Sequence, residues 1–144
     1  MEQLLTVLFI WIGANSNYAV PSTLPTIEYR TSDELRQMQF CNEPPCKVED
    51  LPRIEIAALF DHESRTLYLR EERRGKYHEH QDTLVHELVH YLQALTGKFE
   101  SYCLGILEME AYGLEDKWRV EHGLPPLGVT PARIFSQSCS PGPT

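Results

Sequence analysis

The sequence predicts a small α+β domain, with a short antiparallel sheet packed on two main helices. Three observations predict it. The chain has 144 residues, the length of one domain with room for tails. Two short runs of β-formers, Ile54 to Phe60 and Thr66 to Leu69, flank the turn-like Asp61-His62-Glu63-Ser64. After Asp82 the apolar residues change to helical spacing and keep it through two segments.

From the N-terminus, Leu4 to Ile12 carries a single polar residue, Thr6. The run is too short to span a bilayer, which takes about 20 apolar residues. Its length suits the apolar region of a signal peptide, with Gly13, Ala14, Asn15 and Ser16 after it and Ala19 before a cleavage point. The alternative is a buried strand or an N-terminal helix. Residues 1–19 are therefore expected to be a removable leader, 20–123 the folded domain and 124–144 a tail with five prolines packed on it. No stable membrane insertion is expected once the leader is gone.

Residues 20–31 hold Pro21 and Pro25 and read as extended. Ser32 caps a short helix to about Phe40, and residues 41–52 are loop. The two strand runs make a hairpin. Asp82 and Gly97 bound a helix of about 14 residues, and a second helix runs from about Leu104 to Glu121. Leu107, Ala111, Leu114 and Trp118 form its apolar stripe.

Thirteen basic against 21 acidic residues give a net charge of −8. A surface that acidic repels phosphate backbones and anionic lipid, so nucleic acid is not an expected partner. Four cysteines, Cys41, Cys46, Cys103 and Cys139, allow three pairings. The turn-forming Asn42-Glu43-Pro44-Pro45 favours a Cys41–Cys46 loop, leaving Cys103 with Cys139 to pin the tail. Two disulfides fit an oxidising, secreted or periplasmic location. The paired spacing of a four-cysteine zinc site is missing.

The chemistry sits in His86-Glu87-Leu88-Val89-His90, an H-E-x-x-H segment inside the first main helix. Residues i and i+4 share a helix face, so both imidazoles reach one Zn²⁺ ion. The carboxylate of Glu87 then takes the proton of an activated water. His78 and His80 read as solvated loop histidines, with assistance to the transition state as the alternative. Gln93 reads as a surface or helix-contact residue, and Tyr112 as a packing residue with an oxyanion donor or partner of a ligand as the alternative. His62 and His122 carry no assigned role.

This helix, followed by a glutamate-bearing helix, resembles the gluzincin clan of zinc metallopeptidases over roughly residues 54–118. More closely, the chain is similar to small exported single-domain bacterial zincin-like proteins with an E-x-E-A-Y segment. The resemblance implies a minimal zincin-like fold, an edge strand that pairs with substrate, His86 and His90 as zinc ligands, Glu87 as general base, and a later Glu as third ligand. Glu110 stands with nineteen residues between it and His90, and Glu108 opens an E-x-x-A run with Tyr112 four residues on. Glu108 is slightly preferred, both remain candidates, and the one not used would orient a histidine. The implied function is zinc-dependent hydrolysis of peptide bonds in a peptide or protein substrate. The alternatives are a non-peptidase zinc hydrolase and a zinc-stabilised secreted binding or effector module without turnover. Substrate identity and oligomeric state are not legible.

Overall fold

The computed structural model describes residues 1–131 and 139. In order, the elements are α1 (Glu2–Ala14), β1 (Thr26–Arg30), α2 (Ser32–Phe40), β2 (Ala58–Asp61), β3 (Thr66–Arg70), α3 (Gln81–Leu95) and α4 (Leu104–Glu121). The fold is α+β, as the periodicities predict. The sheet is mixed, however, in the order β1-β3-β2. β2 and β3 form the expected antiparallel hairpin, with Ala58 opposite Leu69 and Asp61 opposite Thr66. β1 adds a parallel strand on the other side of β3, Thr26 facing Thr66 and Arg30 facing Arg70. That pairing was not expected, because its partner lies forty residues away and leaves no local turn signal.

The hairpin is shorter at its open end than the β-run from Ile54 implies. The cause is Tyr77. Its hydroxyl donates to the Ala57 carbonyl at 2.8 Å and accepts from the Arg70 amide at 2.8 Å. Continuing the register would set Ala57 against Arg70, so the phenol takes the place of the next rung.

Helix starts also differ in detail. Thr31, not Ser32, caps α2 through a complete capping box with Glu34. α3 begins one residue before Asp82, whose carboxylate instead accepts from Arg119 Nη1 of α4 at 2.6 Å. Gly97 follows α3 with φ of 74°, the left-handed geometry that stops a helix at little cost for glycine.

Residues 2–14, expected to be a leader, form α1. Leu5, Leu8, Phe9 and Ile12 are fully buried in the main core with Leu84, Leu88 and Val89 of α3 and Leu67 and Leu69 of β3. In the full chain this run is thus a helix packed on the core. Phe9 packs on Tyr91 at 5.7 Å between ring centroids, and Phe60 of β2 meets the same ring at 6.0 Å. The disulfides are Cys41–Cys46 and Cys103–Cys139. The described part of the tail, 124–131, runs exposed along α4, tied by Leu127 N–H to Asp116 and by Arg119 to the Pro125 carbonyl. The remainder of the tail, apart from Cys139, lies outside the described residues.

Candidate metal centre

α3 packs along α4, and the site lies between them. On α3, His86, His90 and Gln93 follow one another at helical spacing on the side turned to α4. On α4, Glu108, Tyr112 and Glu115 lie on one side of the buried stripe Leu107, Ala111, Leu114 and Trp118. Glu110 lies on the other side.

His86 Nε2 and His90 Nε2 are 3.2 Å apart. Glu108 reaches both, Oε1 at 2.6 Å from His90 Nε2 and Oε2 at 3.4 Å from His86 Nε2. Among the described residues these three form a cluster with one ligand atom each, all within 4.8 Å of one another. The donor set fits a cation. Two nitrogens at tetrahedral angles about one zinc ion, each about 2.0–2.1 Å away, would stand roughly 3.3 Å apart, and here they stand at 3.2 Å.

The outer nitrogens are held as well. His86 Nδ1 lies 3.0 Å from Glu115 Oε1, and His90 Nδ1 lies 2.7 Å from Gln93 Oε1. A carboxylate and an amide oxygen only accept, so each ring donates from Nδ1 and turns its Nε2 toward Glu108. Glu115 and Gln93 are buried at 6 % and 0 % exposure. Of the two roles the sequence allows for Gln93, surface or helix contact, it takes the contact with α4, and Glu115 has no assigned role from sequence. The signal that finds Glu115 is its position two turns after Glu108.

Of the two candidate third ligands, the structure brings only Glu108 to the histidines. Glu110 accepts from the Tyr18 hydroxyl, from Gln93 Nε2 at 3.0 Å and from Lys98 Nζ at 3.3 Å.

Electrostatics follow from burial and charge. Burial pushes the His86 imidazole down, but the Glu108 and Glu115 carboxylates outweigh it and lift the ring to about 10. Burial likewise raises Glu108, yet the two imidazoles win and hold it well below the usual carboxylate range. Burial raises the Glu87 carboxyl above its ordinary value, against the pull of both histidines. Three carboxylates thus surround two imidazoles, and the imidazoles open on a cleft.

That cleft has a volume of about 660 Å³ and is lined by His86, Glu87, His90, Glu108 and Tyr112. The Tyr112 ring meets His86 edge-on at 4.5 Å. β2 forms one wall, and Phe99, Tyr102 and Leu104 another. His62, given no role from sequence, stacks on Phe99 at 4.3 Å and borders the cleft. His78, His80 and His122 are not among its lining residues.

The fold and the site together define a small α+β domain with a His-His-Glu cluster whose two histidines are buried. The chain belongs to the DUF6647 family, a domain of unknown function, whose family model matches residues 1–141. No curated protein and no solved structure matches the chain.

Proposed function

We propose that the protein is a zinc-dependent hydrolase of peptide bonds, built on the gluzincin plan. One observation carries the reading. His86, His90 and Glu108 converge on one point, with Glu87 lining the same cleft. These three residues would hold the ion. When bound, zinc supplies Lewis acidity, bringing the pKa of water toward about 7 and polarising a carbonyl.

The chain's own residues do the rest. Glu87, its carboxyl raised by burial, accepts the proton of the attacking water and returns it to the leaving amine. Glu115 and Gln93 fix the rings of the two histidines. β2 is an edge strand of the sheet and a wall of the cleft, so an extended peptide chain can lie alongside it. This last point favours a peptide over a compact substrate. The two disulfides support an exported location, and none of the described helices is long and apolar enough to cross a membrane.

The test is zinc content by elemental mass spectrometry, followed by a peptide-library cleavage screen, on wild type and on Glu87→Gln. About one zinc per chain in both proteins, with cleavage lost only in Glu87→Gln, is the expected result. A wild type that takes up no zinc sinks the reading. Zinc in both with cleavage in neither overturns the peptidase reading in favour of the non-peptidase hydrolase or the binding module.

A further inference from the structure

Glu110 was the rival for the third ligand position, and its actual surroundings give it another role. Lys98 Nζ donates to the Tyr18 hydroxyl oxygen at 2.7 Å, which leaves the phenol proton for Glu110 Oε1. The same Oε1 accepts from Gln93 Nε2 at 3.0 Å, and Glu110 Oε2 takes Lys98 Nζ at 3.3 Å. The Leu107 carbonyl takes a second bond from Gln93 Nε2 at 2.9 Å. A carboxylate can only accept, so Gln93 must turn its NH₂ toward Glu110. Its carbonyl oxygen then faces His90 Nδ1. That oxygen requires the proton on Nδ1 and so points Nε2 toward His86 and Glu108, the side on which an ion would bind.

We propose that Glu110 is a positioning residue for the metal site, acting on His90 through Gln93 and anchored by Tyr18 and Lys98. The N-terminal segment thereby holds the site in its metal-accepting arrangement. The inference rests on the metal-site reading above. A glutamine at 110 has nearly the shape of the glutamate but offers either a donor or an acceptor. It no longer dictates which way Gln93 faces, and the Leu107 carbonyl is left to do so alone.

The experiment compares zinc affinity of the full chain, by competition with a chromogenic chelator, in wild type, Glu110→Gln, Gln93→Leu and His86→Ala. His86→Ala loses zinc. Gln93→Leu, without an acceptor for Nδ1, binds about 10–100-fold more weakly, the usual cost of removing a partner of a ligating histidine, and Glu110→Gln falls at the low end of about tenfold. A merely structural role for Glu110 would lower the melting temperature and leave the affinity of the folded protein at the wild-type value. Glu110→Gln binding zinc like wild type, while Gln93→Leu weakens, overturns the proposal and spares the zinc reading. If wild type takes no zinc, the zinc reading fails, and hydrogen exchange of the Gln93 side-chain amide in the metal-free protein decides the relay. Slow exchange in wild type that quickens in Glu110→Gln upholds the relay, and equal rates overturn it.

Discussion

The Oε1 atom of Glu115 lies 3.0 Å from Nδ1 of His86, inside the interface of α3 and α4. This contact decides which nitrogen of His86 faces the cleft. It is a carboxylate-histidine pair of the kind that makes a ligating imidazole more basic and fixes its ring.

Replacing Glu115 therefore has a defined cost. Glu115→Leu removes the acceptor and lowers zinc affinity by about 10–100-fold. Glu115→Gln keeps an acceptor without the charge and loses less. Chelator competition on the two variants checks the order. Equal affinities for Glu115→Leu and wild type would remove this residue from the site.

Proton balance gives a second expectation. In the metal-free protein His86 is lifted to about 10, so near neutral pH it holds a proton that an incoming ion must expel. Zinc uptake at pH 7 should release about one proton from this ring, and apparent affinity should rise about tenfold per pH unit until the ring titrates. The sign for stability runs the other way. A raised histidine contributes fully to the metal-free fold below its ordinary 6.5, and the contribution is lost as pH rises through about 10. Glu108, held low, contributes above its ordinary 4.5, and its share is lost as pH falls below that. The metal-free protein should thus be most stable between these two values, while the rise in melting temperature on adding zinc should grow from pH 6 to pH 9. Calorimetric titration in buffers of different ionisation enthalpy counts the protons, and a count of zero at pH 7 contradicts the assignment.

The sequence carried the H-E-x-x-H helix well, because periodicity and ligand spacing are both local properties of α3. It carried the third ligand poorly. Glu108 and Glu110 flank one apolar stripe, and the way α3 lies against α4 selects the Glu108 side. Gln93 was legible only as a surface or contact residue and Glu115 was passed over, since a lone Gln or Glu on a helix has no visible partner until its neighbour across the interface is known. β1 was lost because a parallel partner forty residues on leaves no turn. Leu4 to Ile12 is open to two readings on physical grounds: a leader and a buried helix ask for the same apolar residues, and in the full chain Phe9 of this run packs on Tyr91.

The Tyr77 wedge makes a stability prediction remote from the cleft chemistry. Its hydroxyl satisfies the Ala57 carbonyl and the Arg70 amide at once, and the side chain is buried at 1 % exposure. Tyr77→Phe leaves both backbone groups without that partner and should cost about 1–3 kcal/mol. Denaturant unfolding measures it. A variant as stable as wild type would mean that the strands close directly across the rung.

The N-terminal helix supplies the last prediction. Leu5, Leu8, Phe9 and Ile12 are at 0–1 % exposure, against Leu84, Leu88 and Tyr91 of the helix that carries the histidines. Phe9→Ala should cost about 3–5 kcal/mol, the usual range for emptying an aromatic site in a core. A chain starting at Val20 would lose all four side chains, and Tyr18 with them, exposing the back of α3 while His86 and His90 remain on its other face. It should therefore unfold at much lower denaturant and bind zinc more weakly than the full chain. Mass spectrometry of the protein recovered from its native compartment identifies its first residue. Unfolding of that form beside the full chain then tests the helix directly. If the chain beginning at Val20 is equally stable and binds zinc equally well, α1 is dispensable, and Leu84, Leu88 and Tyr91 must find other cover.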